Sequence, residues 1–246
     1  MSARKRVAAW LWFSAVIAGC GASESTGTVN ERGRSPVSLD RPEEESEGTG
    51  DVATPDIPAD APLVVFLGDS ISAGLHLDPK RAFPAVVQRL LAADAPFRLV
   101  NAGVSGDTSA GGLRRLDWLL KQDPDVLVLE LGGNDGLRGQ PVTEIEARLR
   151  EIAERAQAAG ASVLLLGVRL PSSLGADYVR EFEAMYARLA EGCSGCGYVP
   201  SFMEGVGGVP GMMRSDGLHP TREGHERIAA NVAPALRALL EERARR

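Results

Sequence analysis

The sequence predicts an α/β fold in which a parallel sheet of about five strands is covered by helices on both sides. Apolar runs and helical patterns alternate from about residue 61 onwards, an order typical of parallel sheets. The first apolar run, residues 63–67, is uninterrupted, as in a strand that is buried on both faces. The chain has no visible internal repeat, so the alternation indicates one domain over residues 61–246.

Residues 1–19 have the features of a bacterial signal peptide. A basic segment, residues 4–6, precedes a mostly apolar run that is too short to span a bilayer. The run ends in Ile17-Ala-Gly-Cys20, which matches the lipobox of bacterial lipoproteins. We therefore expect cleavage before Cys20, lipidation of its sulfur, and a protein held in the cell envelope, facing the periplasm or the cell surface. An ordinary signal peptide with an incidental cysteine is the alternative.

Residues 20–60 predict a disordered acidic linker that begins at the lipidated cysteine. Ser, Thr, Gly, Pro and Glu predominate, with glutamates at positions 43, 44, 45 and 47. Such a composition cannot bury enough apolar surface to offset the entropy of ordering. A flexible chain of this length spans roughly 35 Å root-mean-square, enough to hold a domain clear of a membrane.

The predicted domain contains strand candidates and helical patterns in alternation. The strand candidates are residues 63–67, 97–101, 125–131, 162–168 and 198–200. The helical patterns are residues 83–94, 109–122, 142–159, 177–191 and 222–243. The pattern at 142–159 is apolar at Ile145, Leu149 and Ile152 with charged residues between them, so one face of this helix packs and the other is solvated.

A candidate nucleophile follows the first strand. Gly68-Asp-Ser70 places a serine at the carboxyl end of a central strand, where open α/β sheets bind their ligands. Gly68 and Asp69 permit a sharp turn there. Taken alone, the three residues are equally consistent with a simple turn or helix cap.

A candidate base and its orienting carboxylate lie before the last helix. A serine hydroxyl needs an adjacent base, and that base must be held in the right tautomer. His219 can be the base, and Asp216, three residues earlier, can orient it. His76 is a rival base because it is close to Ser70 in sequence. His225 lies among polar residues of the last helical pattern, which predicts a surface position.

Donors for a developing negative charge follow three strand ends. Gly103 can expose its N–H after the second strand, and Asn134 extends from a flexible glycine turn after the third. With the Ser70 N–H they would form an oxyanion hole, in which each donor is worth about 3 to 4 kcal/mol. For Asn134 and Asp216, a role in a turn or cap is the alternative.

These motifs carry a resemblance to a known family. Gly68-Asp-Ser70, Gly103, Gly132-Gly-Asn-Asp135 and Asp216-Gly-Leu-His219 resemble, in order, the four blocks of the SGNH (GDSL) hydrolases. Residues 104–109, 131–139 and 169–171 resemble the thioesterase I/arylesterase/lysophospholipase branch. The resemblance covers about residues 62–240 and implies a flavodoxin-like, three-layer αβα fold. It also implies Ser70 as nucleophile, His219 as base, Asp216 as its orienter, and Ser70, Gly103 and Asn134 as oxyanion donors.

Cys193 and Cys196 predict a short disulfide. With Cys20 assigned to lipidation, only these two thiols remain, too few for a cysteine-based zinc site. In an exported protein, a structural disulfide is favoured over free thiols or a redox pair.

The resemblance and the export signal together predict an exported, lipid-anchored serine esterase. Its substrates would be acyl or aryl esters, acyl-thioesters or lysophospholipids, its acyl-enzyme would form on Ser70, and the loops at 137–141 and 169–175 would select the substrate. No metal or other cofactor and no obligate protein partner are indicated. The expected partners are a small ester or lipid substrate and, through the anchor, the membrane.

Composition and alternatives complete the sequence predictions. The formal charge of −6 over 246 residues does not favour nucleic-acid binding, which needs a basic face. A carbohydrate O-acetyl esterase with the same catalytic residues is the alternative enzyme, and a non-catalytic envelope binding protein is the alternative of another class.

Overall fold

A five-stranded parallel sheet organises the computed structural model, which describes residues 52–245. The strands lie in the order β2-β1-β3-β4-β5, and every neighbouring pair is parallel. Their bounds are β1 Leu63–Gly68, β2 Arg98–Gly103, β3 Val126–Glu130, β4 Ser162–Leu166 and β5 Gly197–Val199. The predicted sheet is thus confirmed, with ends that differ from the predicted ones by up to two residues.

Seven α-helices lie within the described residues. They are α1 Ser70–Ala73, α2 Phe83–Leu91, α3 Ser109–Leu120, α4 Gly133–Leu137, α5 Val142–Ala158, α6 Ala176–Gly192 and α7 Arg222–Ala244. The five long helices match the predicted patterns. The sequence analysis did not predict α1 and α4, because helices of four and five residues are too short for an apolar period to show.

Two apolar layers enclose the sheet. Val64 and Phe66 of β1 pack in one cluster with residues of α2 and α7, whereas Val65 and Leu67 pack in another with residues of α3, α5 and α6. Successive strand side chains point to opposite faces, so this alternation gives three layers. The predicted three-layer αβα fold is confirmed.

The strand order places a crevice at one edge of the sheet. The chain moves from β1 outwards to β2 and then crosses to β3 on the other side of β1. In open α/β sheets, ligands bind beyond the carboxyl ends of the strands at such a switch point. The residues that follow β1 and β3 therefore meet there.

Several predictions concern residues outside the described range. The signal peptide at 1–19, the lipidated Cys20 and the linker as far as residue 51 all fall there, and residues 52–60 contain no helix or strand. Within 52–245, no helix combines the length and the apolar character needed to cross a bilayer. Cys193 and Cys196 lie in the connection between α6 and β5, and their sulfurs are bonded to each other.

The predicted surface position of His225 is wrong. Its side chain is 1% exposed and stacks on the Phe83 ring, and its Nδ1 accepts a hydrogen bond from the Phe83 N–H at 3.2 Å. The sequence pattern misleads because the polar neighbours of His225 lie on the solvated face of α7, while the histidine faces α2. Burial, with the nearby positive charge of His219, lowers the pKa of His225 to about 4.

His225 is expected to destabilise the folded protein on acidification. Since its pKa is lower in the folded protein than in the unfolded chain, the unfolded chain binds the proton first. The contribution of His225 to the free energy of unfolding therefore falls as the pH drops from about 6.5 to 4, by up to about 3 kcal/mol. Denaturant unfolding of wild type and His225→Asn across this range tests it: the Asn oxygen can accept the same bond but does not titrate. Parallel curves for the two proteins would contradict the assignment.

Candidate active site

Ser70 is presented by a sharp turn between β1 and α1. The Asp69 carboxylate caps α1 by accepting the Ile71 N–H at 2.9 Å. As the first residue of the helix, Ser70 has no intrahelical acceptor for its N–H. Its side chain is 9% exposed and lines a cleft of about 530 Å³.

The structure brings Ser70, His219 and Asp216 together in one series of contacts. His219 Nε2 lies 3.0 Å from Ser70 Oγ, and His219 Nδ1 lies 2.7 Å from Asp216 Oδ2. A carboxylate on Nδ1 favours the tautomer that carries the proton there, which leaves Nε2 as an acceptor for the serine hydroxyl. The predicted nucleophile, base and orienter therefore have the geometry that proton removal from Ser70 requires.

Asp216 is held by the turn that it closes. Its Oδ1 accepts the backbone N–H groups of Leu218 at 2.8 Å and His219 at 2.9 Å. Burial alone would raise the pKa of Asp216, but these bonds and the His219 side chain outweigh it and lower the pKa to about 2. Asp216 is therefore ionised at neutral pH and can stabilise a protonated His219.

His76 does not compete for Ser70. Its ring lies edge-on to that of His219, with 6.2 Å between ring centroids, and it is His219 that contacts the serine hydroxyl. His76 is thus a neighbour of the base.

Asn134 lies on the cleft, but on a helix and not on the flexible turn that the sequence predicts. It is the second residue of α4, and its Nδ2 donates to Asp69 Oδ2 at 3.0 Å. The next residue, Asp135, is fully buried and accepts both the N–H and the hydroxyl of Ser109. These bonds fix α4 against α3, so the Asn134 amide is positioned before any ligand arrives.

Gly103 is not available as the donor that the sequence predicts. Its N–H donates to Asn101 Oδ1 at 3.0 Å, and a Cβ on Gly103 would overlap the backbone of Ala73 in α1. The absence of a side chain at Gly103 therefore serves the packing of α1 against β2. Asn101 strengthens the same contact because its Nδ2 donates to the Ser72 carbonyl at 2.7 Å.

Gly106, in the loop that follows β2, is a better candidate for the third donor. Its φ is 78°, and its N–H has no hydrogen-bond acceptor within residues 52–245. Its carbonyl accepts a bond from Arg138 at 3.1 Å, next to the α4 helix that carries Asn134. The loop is therefore tied to the helix that presents the amide.

The sequence analysis missed a buried carboxyl beneath the nucleophile turn. Glu130, 1% exposed, accepts the Asp69 N–H at 3.1 Å and the Ser72 hydroxyl at 2.7 Å, so it holds the chain on both sides of Ser70. Burial and the Asp69 charge raise the pKa of Glu130 well above its usual value, and burial raises that of Asp69 to about 6. The signal in the sequence was a glutamate ending an otherwise apolar strand.

The chain is similar in sequence to known hydrolases. The model of the GDSL-like Lipase/Acylhydrolase family matches residues 66–227. Esterase TesA of Pseudomonas aeruginosa is 46% identical over 184 residues, which cover 74% of this chain and 91% of the esterase. Thioesterase 1/protease 1/lysophospholipase L1 of Escherichia coli K12 is 41% identical over 183 residues, 74% of this chain and 86% of that protein.

A solved structure shows that the similarity extends to the fold. A crystal structure of TesA superposes with a TM-score of 0.69 and 46% identity, covering 72% of this chain and 99% of that one. Ser70, Asn134 and His219 all lie within residues 66–227, which match the family model. This chain belongs to the GDSL-like lipase/acylhydrolase family.

Proposed function

We propose that this chain is an exported serine esterase, anchored to the bacterial envelope through lipid on Cys20, that hydrolyses acyl and aryl esters, acyl-thioesters and lysophospholipids. The observation that carries the hydrolytic part is the series Ser70, His219 and Asp216, with contacts of 3.0 and 2.7 Å. The names of the related proteins, an esterase and a thioesterase/lysophospholipase, support the choice of ester and thioester bonds.

In the first half of the proposed reaction, an acyl-enzyme forms. His219 Nε2 takes the hydroxyl proton of Ser70, and Oγ attacks the carbonyl carbon. The oxyanion of the tetrahedral intermediate accepts hydrogen bonds from the Ser70 N–H, the Asn134 amide and the Gly106 N–H. The intermediate collapses as His219 gives its proton to the departing alcohol or thiol.

In the second half, water releases the acid. His219 Nε2 removes a proton from a water molecule, which attacks the acyl carbon, and the proton returns to Ser70 Oγ as the acid departs. Asp216 remains ionised in both halves and stabilises the positive charge that forms on His219.

Removing the Asn134 amide is expected to lower kcat by about 10²–10³-fold, because one preorganised oxyanion donor is lost. The substitution is Asn134→Ala, measured with p-nitrophenyl butyrate, and KM should change much less than kcat. Asp69 also loses a partner in this variant, so its thermal unfolding is measured beside its kinetics: a melting temperature close to that of wild type assigns the loss of kcat to the missing donor. Activity of Asn134→Ala within a few-fold of wild type would remove Asn134 from the oxyanion hole.

Hydrolysis of a panel of esters tests the proposed activity. The panel is p-nitrophenyl esters from acetyl to palmitoyl plus an acyl-thioester, with residues 61–246 and Ser70→Ala alongside. Ser70-dependent turnover that includes medium or long chains supports the proposal. Turnover confined to acetyl favours the carbohydrate O-acetyl esterase, and the absence of Ser70-dependent turnover favours an envelope binding protein.

Lipidation is tested in the full chain. When the protein is expressed in a bacterium fed radioactive palmitate, the wild type should carry label and partition into membranes. Cys20→Ala should carry none. Label that persists in Cys20→Ala, or a soluble unlabelled wild type, would contradict the anchor.

A further inference from the structure

Gly207 lies on the wall of the cleft at a position where neither the backbone nor packing requires a glycine. Its φ is outside the left-handed range, and a Cβ on it would meet no atom within 4 Å. Two neighbours differ: Gly205 and Gly208 also line the cleft, but their φ values of 75° and 73° favour glycine. At Gly207 the fold would accept a side chain, and the sequence provides none.

The segment around Gly207 is held in place. Phe202 and Val206 are buried, with 1% and 0% of their side chains exposed. Asn231 Nδ2 donates to the carbonyls of Phe202 at 3.0 Å and Glu204 at 2.8 Å. A glycine in a fixed segment costs folding free energy relative to alanine, because glycine is freer in the unfolded chain. Glycine at position 207 therefore lowers the stability of the fold, and the backbone conformation there does not require it.

The cleft that Gly207 lines has apolar side chains from the loops after β4 and β5, namely Val168, Leu170, Phe202 and Met203. The ion pair between Arg169 and Glu204 also lines it. Methionine side chains adapt their shape to irregular ligands. A ligand group in this part of the cleft therefore meets apolar, deformable walls and, along residues 205–208, a wall with few side chains.

The chemistry of the proposed reaction assigns the two parts of an ester to this cleft. His219 must give its proton to the leaving group, so the leaving group lies on the side of His219, near Leu218, which is 47% exposed. The acyl group then occupies the rest of the cleft, whose lining includes Gly207 and these apolar side chains. We propose that Gly207 sets the width of the acyl site and that this site takes branched or aromatic acyl groups. This inference rests on the proposed esterase function.

The test compares acyl groups of different width in wild type and in Gly207→Leu. The substrates are p-nitrophenyl acetate, pivalate and benzoate, which share a leaving group. In wild type, kcat/KM for the benzoate should be within about tenfold of that for the acetate. In Gly207→Leu, the benzoate-to-acetate and pivalate-to-acetate ratios should each fall by at least about tenfold, the size expected for apolar contacts of a few carbon atoms. Gly207→Ala should give a smaller fall in the same direction.

Two controls separate the possible failures. Val209→Leu adds apolar bulk to an exposed residue of the same loop that does not line the cleft, and its ratios should equal those of wild type. A series of butyrate esters with alcohols of increasing width tests the assignment of the two ester parts: selectivity that changes only in this series would place the leaving group at Gly207 and overturn the proposal. Unchanged ratios in Gly207→Leu, or an equal fall in Val209→Leu, would also overturn it. No turnover of any ester by wild type would instead mean that the proposed esterase function has failed.

Discussion

Ser70→Ala is expected to lower kcat/KM for p-nitrophenyl butyrate by at least about 10⁴-fold. The variant removes the attacking oxygen, so no acyl-enzyme can form, and the oxyanion donors can assist only a slow direct attack by water. The fold should survive because alanine fits the site of a serine that is 9% exposed. Loss of the Ser70 hydroxyl removes one hydrogen bond, the one between Oγ and His219 Nε2.

A covalent probe makes the same test independent of turnover. An organophosphonate should add one phosphonyl group per wild-type molecule, found by mass spectrometry on the peptide containing Ser70, and none to Ser70→Ala. Ser194→Ala is the matched control, since this serine is exposed between Cys193 and Cys196 and does not line the cleft, so it should leave labelling and turnover at wild-type levels. Undiminished turnover by Ser70→Ala, or label on another residue, would remove Ser70 from the mechanism.

The residues in contact at the candidate site could be predicted from sequence because local chain geometry places them. Ser70 lies two residues beyond the end of a fully buried strand, so its position at the sheet edge depends mainly on where that strand ends. Asp216 and His219 share one turn, which brings a carboxylate oxygen within 2.7 Å of the imidazole. Only the meeting of this turn with Ser70 depends on the rest of the fold, and the parallel sheet supplies it.

The donors were harder to predict because they depend on contacts between distant segments. Gly103 is a glycine because α1 packs against it, and its N–H is taken by Asn101, a bond that no spacing in the sequence reveals. Asn134 owes its fixed position to the buried Asp135 and its bonds to Ser109. In both cases the sequence shows the motif, but the role of the residue in it depends on tertiary contacts that the sequence does not show.

The residues that line the cleft could likewise be predicted only in part from the sequence. The predicted loops at 137–141 and 169–175 do contribute Leu137, Arg169 and Leu170 to the cleft. The segment at 201–208 contributes more residues than these two loops together, although its sequence is typical of an ordinary loop after a short edge strand. Its role follows from the buried anchors Phe202 and Val206, whose partners lie in the core.

Asp216→Asn is expected to lower kcat by about 10³–10⁴-fold. Asparagine can keep the bonds to the Leu218 and His219 N–H groups through its side-chain oxygen, so the turn should hold. Its amide would then donate to His219 Nδ1, which favours the tautomer with the proton on Nε2. That nitrogen could no longer accept the Ser70 proton, and no carboxylate would stabilise the imidazolium.

Two measurements separate this tautomer effect from simple damage to the site. The double variant Ser70→Ala/Asp216→Asn should be no slower than Ser70→Ala alone, because residues that act as one unit are not additive. Thermal unfolding of Asp216→Asn should stay close to that of Asp60→Asn, an exposed carboxyl that does not line the cleft. If Asp216→Asn kept more than about a tenth of wild-type activity, then His219 would not need a carboxylate to act as the base. The contact of 2.7 Å would then serve the turn before α7 and not the chemistry at Ser70.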